Sequence, residues 1–200
     1  MTTSDVALEK KKFRENFLQK RDKLSSEQKK NRDYEIAMRL LSCKEYMETK
    51  ILLCYVSFGS EIDTKAIIHA ALVNKKQVAV PKSDTKNHTL TFYCISSIED
   101  LVEGNYGILE PKDGCPPVKD FSQSLCLVPA LGYDIKGFRV GYGKGFYDRF
   151  LAQYTGTSVG LCYNECVTFC CPTEEHDCKV DVLVTPEYIR RLTKSTKETP

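Results

Sequence analysis

The chain has 200 residues, 42% hydrophobic and 28% charged, which suits one well-packed domain. Its net charge of +2 is too small to point to nucleic acid or a membrane as partner, and the longest apolar run, residues 51–56, is far short of a bilayer span. The first residues lack the apolar core of a signal peptide, so a cytoplasmic protein is expected.

In chain order, Val6, Leu8, Phe13, Phe17 and Leu24 form an apolar stripe that predicts a first helix. The same region holds the basic excess, since residues 1–50 carry 13 Lys and Arg against 9 Asp and Glu. "SSEQ" at 25–28 predicts a capped second helix to about Ser42, with Ile36, Leu40 and Leu41 inward. Residues 5–42 are thus an N-terminal helical segment packed on the rest. "ILLCYV" (51–56) has the length and composition of a buried strand. "DTKAIIHAALVN" (63–74) predicts a helix with an Asp cap. "QVAVP" (77–81), "TLTFYCI" (89–95) and "SLCLVPAL" (124–131) predict further strands. "EPKDGCPPVKD" (110–120) is a turn-rich loop. "FYDRFLAQY" (146–154) predicts a helix, and "TSVGLCY" (157–163) and "KVDVLVTP" (179–186) the last strands. Unbroken apolar strands alternating with helices predict a single α/β domain over 1–200. Its sheet should be mostly parallel, with helices on both faces in three α/β/α layers. The tail from about 190 to 200 reads as frayed. Tyr34, Tyr46 and Tyr188 read as packing residues.

Ten cysteines are scattered without a C-x-x-C pair, which disfavours zinc and, with no signal peptide, favours reduced thiols. Cys162, Cys166 and Cys170 recur every fourth residue and would align on a helix. Small buried side chains remain the better reading than a metal site.

The stretch "DIKGFRVGYGKGFYDRFL" (134–151) carries the chemistry. It follows a buried strand, and open parallel sheets gather ligands outside the carboxyl ends of their strands. Glycines at 141, 143 and 145 allow close backbone approach, and successive N–H groups can form an anion nest. Arg139 and Lys144 add charge, and the following helix offers its N-terminus. Together these predict a phosphate cradle. It is not a Walker loop, because Phe138 and Gly145 stand where Gly and Ser or Thr are needed. Nor is it the dinucleotide fingerprint, because the spacing is G-x-G-x-G. Asp134 is read as shaping a turn.

"YDIKGFRVGYGKGFYDR" resembles the signature of the 5-formyltetrahydrofolate cyclo-ligase family, also called methenyltetrahydrofolate synthetase. That pattern runs aromatic-Asp, two residues, Gly-x-Arg-Leu-Gly-x-Gly-x-Gly-Tyr-Tyr-Asp. The chain supplies Tyr133, Asp134, Gly137, Arg139, Gly141, Gly143, Gly145, Tyr147 and Asp148, and departs at Val140 and Phe146. "KKKFR" (10–14), "SFGSEIDT" (57–64), "VPALGYD" (128–134) and "PTEEHDCKVDVLVTP" (172–186) are similar to other family segments.

The resemblance implies ATP- and Mg2+-dependent conversion of 5-formyltetrahydrofolate to 5,10-methenyltetrahydrofolate, with release of ADP and phosphate. It implies that Lys10, Arg14 and the loop Arg139, Val140, Gly141, Tyr142, Gly143, Lys144, Gly145, Phe146 and Tyr147 bind ATP. Arg139 and Lys144 would be catalytic. Val56, Glu61 and residues 142–146 would hold the reduced folate. Asp148 and Asp177 would hold the metal, with Asp181 the alternative to Asp177. His176 reads as loop rather than general acid. The implied partners are small molecules, without nucleic acid or membrane, and a monomer is expected. Two alternatives stay open: a sugar-phosphate or CoA-type enzyme of similar fold that does not use ATP, and a non-catalytic folate- or nucleotide-binding relative.

Overall fold

A computed structural model describes residues 3–192, so the expectation for the tail beyond 192 lies outside the described residues. The first helix, α1 (Thr3–Asp22), is followed by α2 (Ser26–Ser42). The capping box is present as read: the Gln28 N–H donates to Ser25 Oγ, and the Ser25 N–H donates to Gln28 Oε1. The expected stripe holds at Val6 and Phe17, which are buried, and at Phe13 and Leu24, which pack partly buried against the cores, but not at Leu8. Lys10, Arg14, Phe17 and Arg21 share one face at helical spacing, with Lys10, Phe17 and Arg21 buried. Leu8 lies on the opposite side and is 56% exposed. The helix therefore docks through its apolar residues and also through buried cations beside Phe17, and an apolar periodicity does not report the cations.

A short helix, α3 (Lys44–Glu48), leads into β1 (Ile51–Leu53). Next come α4 (Lys65–Val73), β2 (Gln77–Asp84) and β3 (Thr89–Ile95), then the hairpin β4 (Leu101–Glu103) and β5 (Leu109–Pro111). The cap of α4 is Thr64 rather than Asp63, whose carboxylate instead accepts from the Lys65 N–H. The chain continues through β6 (Ser124–Val128), β7 (Gly132–Asp134), β8 (Arg139–Val140), α5 (Phe146–Leu151) and β9 (Thr157–Leu161). It closes with β10 (Val167–Thr168), β11 (Val182–Val184) and β12 (Ile189–Arg191). Arg190 and Arg191 are thus in a strand, not in a frayed tail.

The main sheet has seven strands in the order β12-β11-β9-β6-β1-β2-β3. β11, β9, β6, β1 and β2 are parallel, while β12 and β3 flank them antiparallel. Alternation along each strand feeds two cores. Leu52, Val78, Val80, Leu125, Leu127, Val159 and Val182 face α2, α3 and α4. Leu53, Ala79, Cys126, Val128 and Leu183 face Phe17 of α1 and Phe150 of α5. Helices cover both faces, as the apolar strands predict.

Glu110 and Pro111 belong to β5, and the rest of the predicted loop lies along β3, with the Val118 N–H donating to Phe92 O and the Cys94 N–H to Pro116 O, and so covers that sheet edge. Cys162, Cys166 and Cys170 are not on a helix. Cys162 follows β9, Cys166 closes a 3-10 turn, and Cys170 is exposed. Tyr46 is buried as a packing residue, but Tyr34 is 66% exposed.

Candidate active site

The parallel strands deliver their carboxyl ends to one side of the sheet. β1 leaves the ladder after Leu53, so Tyr55, Val56, Phe58 and Glu61 run along that side. β6 ends at Val128, and the chain returns through β7 and β8 to the glycine loop. Asp134 fixes this return. Its Oδ1 accepts the N–H groups of Lys136 and Phe138, and its Oδ2 that of Cys171. It is fully buried and acts as the turn residue expected.

A cavity of about 450 Å³ opens at this edge. Its wall contains every residue singled out from the sequence as ATP, folate or metal ligand: Lys10, Arg14, Val56, Glu61, residues 139–147, Asp148 and Asp177. Asp181 is elsewhere, bound through Oδ2 to the N–H and hydroxyl of Ser158, both at 2.8 Å. The His176 side chain is largely exposed, and its Nε2 stands 4.0 Å from Glu174 Oε2.

The cations of the wall fall into two kinds. Arg139 is buried and committed: Nη2 donates to Asp148 Oδ1 at 2.7 Å and Nη1 to Cys178 O at 2.6 Å. Arg14 Nε donates to Gly141 O at 2.9 Å and ties α1 to the loop. Lys10 Nζ meets Asp177 Oδ2 at 2.6 Å and Glu174 Oε2 at 2.7 Å. Burial pulls the Lys10 ammonium down, but Asp177 and Glu174 more than offset this and hold it above its ordinary value. Lys144 is exposed and has no ion pair or side-chain hydrogen bond among the described residues.

The loop backbone explains its glycines. Gly143 has φ +87°, and a Cβ there would stand 2.9 Å from Arg14 Nη2. Gly141 does not have positive φ, and a Cβ there would meet nothing within 4 Å. It lines the cavity, so its missing side chain leaves room for a ligand rather than relieving strain. α5 has only six residues, with Gly145 at its N-cap. A macrodipole from so short a helix is weak, so the charge at this end of the cavity comes from the side chains of the loop more than from the helix end.

Glu61 is one of four carboxylates in the wall, with Glu110, Asp148 and Asp177. Burial pushes its carboxyl up, while the Phe58 N–H at 2.9 Å, the charge of Arg21 and the Tyr142 hydroxyl pull it back. Burial also raises the Tyr142 hydroxyl to about 12, with Glu61 adding to the rise. Sequence reasoning missed Tyr55, Phe58, Ser83, Leu90 and Glu110, which also line the cavity. Phe58 sits inside a segment already singled out. Ser83 and Glu110 meet only because the hairpin folds back, with Glu110 Oε1 accepting from the Ser83 N–H and hydroxyl. No local motif announces that pair.

An open parallel sheet with a glycine loop, cations and carboxylates around one cavity at its carboxyl edge defines an α/β enzyme acting on small molecules. The family model described as the 5-formyltetrahydrofolate cyclo-ligase family matches residues 6–186. The 5-formyltetrahydrofolate cyclo-ligase of Haemophilus influenzae is 31% identical over 170 residues, covering 82% of this chain and 91% of that protein. The mouse protein of that name is 24% identical over 193 residues, with 90% and 95% covered. The solved structure of 5,10-methenyltetrahydrofolate synthetase from Aquifex aeolicus superposes with a TM-score of 0.83 at 30% identity, covering 96% of each chain. The chain belongs to the 5-formyltetrahydrofolate cyclo-ligase family, a family of ligases. Among the described residues no helix is long and apolar enough to cross a membrane.

Proposed function

We propose that this chain converts 5-formyltetrahydrofolate to 5,10-methenyltetrahydrofolate using ATP and magnesium, with release of ADP and phosphate. The carrying observation is convergence: ligand residues drawn from α1, the segment after β1, the β8–α5 loop and the segment before β11 all line one cavity.

The chemistry suits the wall. A formyl group on nitrogen is an amide, and its oxygen leaves poorly. Transfer of the γ-phosphoryl group of ATP to that oxygen forms an O–P bond and releases ADP. The formyl carbon becomes electrophilic, and N10 attacks it. The N10–C bond forms, the C–O bond breaks, phosphate leaves and N10 loses its proton to solvent. The protein's part is to position the reactants and neutralise charge. Lys144, uncommitted and flexible, follows the charge on the transferring group. Lys10 and Arg14 reach the nucleotide from α1. Arg139 acts by holding Asp148 and the Cys178 backbone in place. Glu61, Val56 and Tyr142 to Phe146 receive the folate, with Phe146 offering a stacking face and no hydroxyl. The hard carboxylate oxygens of Asp148 and Asp177 fit a divalent cation, which when bound would neutralise charge on phosphate oxygens.

The test is a spectrophotometric assay with protein, Mg-ATP and 5-formyltetrahydrofolate, following the near-ultraviolet absorbance of the methenyl product. Product that requires ATP and magnesium is the expected result. Folded protein that makes none, with both substrates present, overturns the reading. Nucleotide binding without product would leave the non-catalytic reading, and no nucleotide binding would favour a metabolite enzyme that does not use ATP.

A further inference from the structure

Glu174 has no role in the reading above, and it does not line the cavity. Yet it is built into the wall through Lys10. Lys10 Nζ lies 2.7 Å from Glu174 Oε2 and 2.6 Å from Asp177 Oδ2, and the Glu174 N–H donates to the same Asp177 oxygen at 2.8 Å. Glu174, His176 and Asp177 bring ligand atoms within 4.8 Å of one another, and the Lys10 ammonium is the cation that answers them. A difficulty follows if Asp177 is to hold a metal. A divalent cation at Asp177 competes with Lys10 for that carboxylate. The Lys10 side chain is only 11% exposed, and an ammonium so buried cannot be left unpaired without a large penalty.

We infer that Glu174 is a positioning residue for Lys10: it retains the ammonium at the cavity wall while Asp177 turns to a cation, so that Lys10 exchanges one carboxylate for nucleotide phosphate without leaving the site. The inference rests on the nucleotide and metal reading above. It assigns Glu174 no contact with substrate or metal. Its side chain sits behind Lys10, and its effect passes through that lysine. His176 is a poor substitute, because its ring is exposed and 4.0 Å from Glu174.

A double-mutant cycle on binding tests this. Affinity for a non-hydrolysable ATP analogue with magnesium is measured by calorimetry for the wild type, Glu174→Gln, Lys10→Met and the double variant. Melting temperatures are recorded beside them. Glu174→Gln is expected to weaken binding about tenfold, the scale of one charge-assisted hydrogen bond. Lys10→Met is expected to weaken it further, and the double variant to match Lys10→Met. Glu174→Asp, which keeps the charge, should recover part of the loss and serves if the Gln variant fails to fold. Wild-type affinity in Glu174→Gln overturns the inference. So does a full additional loss in the double variant, because Glu174 would then act independently of Lys10. A wild-type protein that binds no magnesium–nucleotide overturns the nucleotide reading itself, and the inference with it.

Discussion

Lys144 and Asp148 stand four residues apart in the loop-helix segment and differ in how the fold uses them. Lys144 is exposed and uncommitted, so Lys144→Ala should lower turnover about a hundredfold, roughly 3 kcal/mol of transition-state stabilisation, and leave the melting temperature unchanged. Steady-state kinetics beside thermal melts check this, and near-normal turnover would make Lys144 a solvated loop residue. Asp148 is paired with the buried Arg139. Asp148→Asn should therefore destabilise the fold by about 3 kcal/mol, the cost of breaking a buried pair, and also raise the magnesium concentration needed for half-maximal rate. A lowered melting temperature with an unchanged magnesium midpoint would leave Asp148 only its structural role. Glu61 gives a pH-dependent prediction. Burial holds its folded carboxyl above the ordinary 4.5, so the native state binds that proton more tightly than the unfolded chain. Stability contributed by this group is then lost as pH rises from 4.5 through the raised value. Glu61→Gln should melt no lower than wild type at pH 7, with any advantage vanishing below pH 4.5, while KM for the folate rises about tenfold through the lost charged acceptor. Melts across pH 4–8 and folate KM values decide it; a lower melting temperature at pH 7 would contradict the burial argument.

At the scale of elements, the sequence spoke clearly where side chains act locally. The Ser25–Gln28 box is legible because both partners lie within one turn. The unbroken apolar runs of β1, β2, β6 and β9 are legible because both faces of those strands are covered. α1 was legible only in part, since Lys10 and Arg21 are buried beside Val6 and Phe17, and burial of cations follows from what the helix meets rather than from its own periodicity. The glycine loop divides the same way. Gly143→Ala should cost about 1–2 kcal/mol of stability, because its φ of +87° is unfavourable for a side chain, and should also push Arg14 aside. Gly141→Ala should leave the melting temperature within about 2 °C, since a half kcal/mol change moves it little, yet raise KM for ATP by filling the cavity edge. Equal melting losses in both variants would show that Gly141 is kept for the backbone and not for the ligand.

Across the whole molecule, the cavity is assembled from segments far apart in the chain, so a ligand that fills it binds the folded state and not the unfolded chain. ATP with magnesium at about a hundredfold over Kd should add about 2.7 kcal/mol, raising the melting temperature by roughly 5–10 °C; differential scanning fluorimetry with and without each component checks this, and no shift would argue against a nucleotide site. The sequence by itself determined the layered sheet, the turn role of Asp134, and a glycine loop at the carboxyl edge of the sheet, because hydrophobic pattern, turn chemistry and glycine spacing are local properties of the chain. Tertiary structure alone decided which charges are free. Arg139 and Lys144 are equivalent cations in the sequence, but folding brings Asp148 and the Cys178 carbonyl to the first and, among the described residues, no side-chain partner to the second. Glu174 reads as one acidic loop residue among several until α1 carries Lys10 across 164 positions to meet it. Such pairings depend on where distant segments dock, and no spacing along the chain encodes that distance.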